Sequence, residues 1–275
     1  MSTLSVAKKD FLDVRRAKVV WFVAGIYTLF MVLLFYFGQR NVPEPRVESQ
    51  LFAITGIGAL VIPLIALVSA YLAIAGERES GSIKYLLSLP NTRRSVVLGK
   101  FLTRSAVVTG AIVFSFALAA VMALAWYPSL EADVFAGIVA LTVLYALTYV
   151  AVAIGISAAT ASRSRAMGGA IGFFFVTNVL TMLPGFSIIA AFEYVFNSLL
   201  DLGVSQDGLE FIRALLSPTM AYTYSTALAF PDRMNGIPED IPWYLQGEVM
   251  VVVLLAWLVV PIALGLWRFG RADLG

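Results

Sequence analysis

Six long apolar runs divide this chain, and no water-soluble fold can bury all of them. They cover residues 19–37, 51–75, 106–127, 135–161, 167–183 and 248–266. Each is near the roughly 20 residues a helix needs to cross about 30 Å of hydrocarbon. Inside a bilayer no water satisfies the backbone, so each run must bond internally as a helix. With 60% of its 275 residues hydrophobic and 13% charged, the chain lies far below the roughly 25% charge of a soluble domain. The expected fold class is an all-α polytopic membrane protein with six transmembrane helices, one domain over residues 1–275.

The basic residues support this division. Lys8, Lys9, Arg15, Arg16 and Lys18 precede the first run. Arg78, Lys84, Arg93, Arg94, Lys100 and Arg104 lie between the second and third, Arg163 and Arg165 between the fourth and fifth, and Arg268 and Arg271 after the last. Only Arg40, Arg46, Arg213 and Arg233 fall on the other side. Loops rich in Lys and Arg stay in the cytoplasm, so both termini are expected inside and residues 184–246 outside. Five or seven spans would destroy the asymmetry.

Residues 2–18 are expected to form an amphipathic helix in the membrane interface. Leu4, Ala7, Phe11 and Val14 recur at helical spacing, with lysines and arginines on the other faces. The first run is longer than a signal-peptide core and reads as a signal anchor. Pro63 should kink the second span. Gly168 and Gly172 form a small-residue pair that permits close helix contact. Residues 184–246 mix short apolar stretches with turns. They read as interfacial or re-entrant helices over the outer mouth.

The residue inventory excludes much. Without cysteine or histidine the chain has no disulfide, no thiolate or imidazole metal site and no histidine base; no metal site is expected. No ionisable residue lies near the middle of any run, which argues against ion-coupled carriers and intramembrane aspartyl proteases. Thr177 and Asn178, in the fifth run, are notable polar groups there. They are candidates for lining a substrate path, although such residues more often join helices by hydrogen bonds. The one Gly-Lys pair, Gly99-Lys100, is followed by Phe101 and has Arg94 where a phosphate loop needs its first glycine. Energy for transport would have to arrive from another polypeptide.

Residues 76–104 form the long polar segment on the basic side. Glu77 and Glu79 precede a break at Ser80-Gly81-Ser82. Ser82 can cap a short helix on which Ile83, Leu86 and Leu87 share a face, stopped by Pro90. Asn91 or Thr92 can cap a second helix carrying Arg93 and Arg94 into the third span. The two glutamates could pair with a partner's basic residues or with Arg93 and Arg94. Such a ridge could enter a cleft on a soluble protein, or simply lie on the lipid surface.

The segment GERESGSIKYLLSLPNTRRSVVLGKFL resembles the cytoplasmic loop of ABC transporter permeases of the type-2 exporter family. There an E-x-E-x-G-[ST] element precedes an L-L-[SA]-x-P run and a [ST]-R-x-x-[IVL]-x-x-K element. Glu77, Glu79, Gly81 and Ser82 match the first; Leu86, Leu87, Ser88 and Pro90 the second; Thr92, Arg93, Val96 and Lys100 the third. The resemblance implies a plasma-membrane half-transporter of a prokaryote. It would pair with a second permease subunit, identical or not, and with ATP-binding cassette ATPase subunits. Those subunits, not this chain, would bind ATP and Mg; no cofactor or nucleic acid is expected on this chain, and membrane lipid is its surroundings. The loop would be the coupling helix, and Arg163 and Arg165 a smaller second contact. The large last outer segment resembles permeases beside nitrous oxide reductase maturation genes and many multidrug-type exporters. No His or Cys cluster supports copper handling. A membrane anchor or assembly factor recruiting a cytoplasmic protein, or a channel, are the rival readings.

Overall fold

The computed structural model describes residues 3–16, 19–40, 45–89, 91–182, 188–230 and 241–272. Pro90 and Lys18, and the stretches 183–187, 231–240 and 273–275, lie outside the described residues. Among the described residues there is no strand.

The first half contains α1 (Thr3–Arg16), α2 (Val19–Arg40), α3 (Val47–Ala70), α4 (Ala75–Glu79), α5 (Ser82–Ser88) and α6 (Arg93–Trp126). The second contains α7 (Ala132–Ala159), α8 (Arg163–Phe174), α9 (Leu180–Met182), α10 (Ile188–Glu193), α11 (Gln206–Leu216), α12 (Pro218–Ser225) and α13 (Gly247–Gly270). Four helical stretches among the described residues are long and apolar enough to cross a membrane: Val47–Glu79, Arg93–Trp126, Ala132–Ala159 and Gly247–Gly270. The first apolar run lies within α2. The fifth, as far as Met182, lies in α8, which continues through a π turn at Phe175–Val179 into α9; residue 183 is outside the described residues.

α7 is the centre of the bundle, packed by α3, α6, α12 and α13. Tyr145, Ala146, Tyr149, Val150, Ala151, Ala153 and Ile154 are all fully buried along it. α13 is apolar all round but faces outward on much of its surface, with Val252, Leu255, Val259, Val260 and Leu264 exposed. A helix exposing this much apolar surface requires lipid or another subunit around it.

Pro63 has a specific partner. Proline has no N–H to offer the carbonyl four residues back, so Ala59 O is orphaned. The Tyr145 hydroxyl of α7 donates to that oxygen at 2.8 Å. The proline break is therefore part of the α3–α7 joint. Tyr145→Phe should cost about 1–3 kcal/mol, because a buried carbonyl loses its donor. Thermal unfolding in detergent reads this directly.

Not all of 184–246 lies outside the bundle. Tyr222 of α12 stacks on Tyr145, half-way along α7, with ring centroids 4.2 Å apart. Thr219, Ala221 and Tyr222 are buried. Polar backbone at such depth is tolerated only where protein satisfies it. Ser217 Oγ does so, accepting from Met220 N–H at the start of α12 and donating to Thr177 O. α12 thus packs against both α7 and α13.

Candidate functional site

At the basic end of the bundle, α4 and α5 form a knuckle between α3 and α6, both of which belong to stretches long and apolar enough to cross a membrane. Its first N–H groups, of Ile74 and Ala75, donate to the buried Ser157 Oγ of α7 at 3.0 and 2.9 Å. Three consecutive side chains then reach three different places. Glu77 pairs with Lys100 of α6 at 2.7 Å. Arg78 donates to Ala158 O at 3.3 Å and Thr160 O at 2.7 Å, at the C-terminal end of α7. Glu79 accepts from the Arg163 N–H at the first turn of α8. The signs follow the helix dipole, with a cation at a C-terminus and an anion at an N-terminus.

Lys100 is buried and also meets Asp10 of α1 at 3.0 Å, while Arg104 lies 3.6 Å from the other Asp10 oxygen. The two acids balance the two bases. Thr103 Oγ1 donates to Ala7 O at 2.9 Å. A Cβ on Gly99 would meet Val6 Cβ at 2.8 Å, so α1 lies flush on α6.

This arrangement corrects two expectations. Glu77 and Glu79 do not pair with Arg93 and Arg94. Arg93 instead donates to the carbonyls of Phe269, Gly270 and Ala272 at 2.7, 3.0 and 2.7 Å, tying the start of α6, just after the knuckle, to the end of α13. Arg94 is exposed and enters no ion pair among the described residues. Nor does Ser82 cap α5. Gly81 occupies that position with φ +75°, a left-handed conformation glycine adopts without strain. Ser82 is exposed just inside the helix, its Oγ 3.0 Å from Ser80 Oγ.

The expected exposed ridge is inverted. Ile83 and Leu86 are 2% and 7% exposed and face the bundle, and Leu87 is half-buried. The outward face carries Lys84, Tyr85, Ser88 and Leu89, with Tyr85 81% exposed. Asn91 Nδ2 donates to Leu86 O at 2.9 Å and closes the end of α5. Thr92 caps α6, forming a capping box with Ser95. Arg163 and Arg165 are exposed beside the knuckle, and Arg165 Nε donates to Ser162 Oγ at 3.1 Å.

Thr177 and Asn178 lie in the π turn, buried. Asn178 Nδ2 donates to Tyr149 OH at 3.0 Å and to Thr177 Oγ1 at 3.1 Å, and its Oδ1 accepts from Thr219. Thr177 Oγ1 donates to Phe173 O at 2.8 Å. The Asn178 side chain thus joins the π turn to α7 and α12, while the Thr177 hydroxyl bonds within its own helix and to Asn178. Asn178→Leu should lower stability by about 1 kcal/mol, the usual scale for a hydrogen bond between membrane helices, read as a drop in detergent unfolding temperature.

Sequence reasoning missed Asp10, Arg78, Ser157 and Tyr85 as site residues. Asp10 shares a helical stripe with Val6 and Val14, and that spacing was the available signal. Nothing local marks Ser157. On α8, the Gly168 and Gly172 positions face open space, where an added Cβ meets nothing within 4 Å. Beside them an apolar groove of about 190 Å³ runs between α3 and α8, walled by Leu64, Val68, Met167 and Ile171 among others. No group of three or more acidic residues among the described residues could hold a metal ion.

Residues 4–274 match the family described as ABC-2 family transporter protein. The chain is 27% identical to a probable ABC transporter permease protein NosY of Pseudomonas aeruginosa, over 96% of this chain and 97% of that protein. It is 24% identical to a protein of the same description in Stutzerimonas stutzeri, over 97% of each.

Proposed function

Because the chain belongs to the ABC-2 family of transporter proteins, and so is a multi-pass membrane permease, we propose that it is the six-span membrane subunit of an ATP-driven exporter whose ATPase docks on α5. In this reading α2 and α8 are the first and fifth spans, both termini are cytoplasmic, and ATP and Mg are bound by a separate cassette subunit. A second permease subunit covers the α3–α8 groove, and the open space at Gly168 and Gly172 on the adjoining face of α8 leaves room for one of its helices to approach.

The observation that carries the reading is the exposure of Tyr85 at 81%, on a helix whose other face is buried. An exposed aromatic on a rigid, anchored turn is the type of residue that dominates protein interfaces. The anchors explain why such a contact would move the bundle. Closure of the ATPase subunits pushes α5; Glu77, Arg78 and Glu79 pass the displacement to α6, α7 and α8, and Arg93 to α13. The push therefore reaches beyond the second and third spans.

Tyr85→Asp should weaken ATPase binding by roughly thirtyfold, the equivalent of about 2 kcal/mol, with the fold intact because the Tyr85 side chain is largely exposed. Titrating the purified ATPase subunit onto the permease in nanodiscs measures this. Unchanged affinity would move the docking site elsewhere. A membrane anchor using the same knuckle would bind a cytoplasmic protein but give no ATP-dependent transport in vesicles.

A further inference from the structure

α1 shows two faces that do different work. Val6, Asp10 and Val14 are buried against the bundle. The opposite side carries Leu4 at 73%, Phe11 at 42% and Leu12 at 46% exposure, together with exposed Lys8 and Lys9. Leu4, Lys8, Phe11 and Leu12 follow at spacings of four, three and one and so lie on one helical face. The expected stripe through Ala7 and Val14 is not the outer one. Apolar side chains flanked by lysines, on a helix that adjoins the first apolar run, match the interface of a leaflet containing anionic lipid.

We propose that this face binds anionic phospholipid headgroups and that the Asp10–Lys100–Glu77 triad passes the position of α1 to the knuckle that bears Tyr85. Asp10 follows Lys9 directly, so drawing Lys8 and Lys9 toward lipid phosphate shifts the Asp10 carboxylate with them. Lys100, 3.0 Å from Asp10 and 2.7 Å from Glu77, holds both acids at once. It is nearly inaccessible to water, where charge pairs are screened least. Thr103 and the close approach at Gly99 keep α1 from sliding independently of α6. Lipid charge thereby sets the pose in which α5 is presented. The importance of that pose rests on the docking reading above, but the test below uses the permease alone and does not depend on it.

The chain contains no cysteine, so introduced labels have no background. Two reporters are placed in the full chain. A polarity-sensitive fluorophore on Leu12→Cys reads contact of α1 with lipid. In a separate protein, spin labels on Tyr85→Cys and Val259→Cys read the pose of α5 relative to the exposed flank of α13. Each is measured in vesicles of phosphatidylcholine and in vesicles containing phosphatidylglycerol as well. Anionic vesicles are expected to deepen the Leu12 probe and shift the 85–259 distance distribution. Lys8→Gln with Lys9→Gln, both on the surface, should weaken the anionic preference of the Leu12 probe by about an order of magnitude and remove the distance shift. Glu77→Gln should keep the Leu12 response and lose the distance shift. The proposal is overturned if the distance distribution is the same in both vesicles, if the shift survives the double lysine variant, or if it survives Glu77→Gln. Loss of both responses in Glu77→Gln would also count against a relay that runs outward from α1.

Discussion

Lys100→Met is expected to destabilise the protein by about 3–5 kcal/mol, the scale for removing one member of a buried ionic group. Lys100 is the only cation within hydrogen-bonding distance of Asp10 and Glu77 among the described residues. Its loss leaves Asp10, 8% exposed, facing only the Arg104 guanidinium at 3.6 Å. Glu77 is one-third exposed and regains some hydration, which holds the effect toward the lower end. Asp10→Asn in the Lys100→Met background should recover part of the loss, since it removes the more deeply buried unpaired charge. A double-mutant cycle measures this coupling, with thermal unfolding in detergent as the readout. A loss below about 1 kcal/mol would mean that the triad is solvated and does not bind α1 to the knuckle.

Gly155→Val is expected to part α7 from α13 and to cost about 1–3 kcal/mol or more, as overpacking does in a tight core. A Cβ at position 155 would run into Pro261 O and sit 2.9 Å from Pro261 C. Those are backbone atoms, so no side-chain rotation can make room. From the other side, a Cβ on Gly265 would lie 2.8 Å from the Gly155 Cα. The two helices therefore meet backbone to backbone, which is how membrane helices gain packing when lipid is as apolar as they are. Gly110→Val serves as the control. A Cβ there meets nothing within 4 Å, and a surface substitution typically changes stability by less than about 0.5 kcal/mol. Equal losses at both positions would place the effect in helix propensity rather than in the crossing.

How far the sequence disclosed this arrangement differs from one element to another. Apolar length gave the four helices that are long and apolar enough to span, because the bilayer imposes its thickness on every one. Of the two capping candidates, Thr92 and Asn91, both turned out to act: one starts α6 and the other closes α5. The orientation of α5 was not legible. Ile83 and Leu86 form one apolar stripe, Tyr85 and Leu89 another, and a two-turn helix offers no third feature to say which faces inward. α1 misled for a related reason. Its buried stripe includes an aspartate, which looks like a solvent face until Lys100, ninety residues later in the chain, supplies the counter-charge. Long-range pairs of this kind, like Ser157 beneath α4 or Tyr145 beneath the proline break, leave no local periodicity to detect. From the sequence, Glu77 and Glu79 could serve a partner's basic residues or Arg93 and Arg94, and Arg78 stands out only as one more basic residue. In the fold Glu77, Arg78 and Glu79 hold the knuckle to its own bundle, and the outward face of α5 carries a single charge, Lys84.

The most direct test of the docking account is side-specific labelling of Tyr85→Cys in a chain otherwise free of cysteine. A membrane-impermeant maleimide should react with it in inside-out membrane vesicles, not in right-side-out ones, and co-expression of the cassette ATPase should protect it. Reaction from the outer side, or equal reaction with and without the ATPase subunit, would contradict the assignment of α5 as the site where the driving force enters.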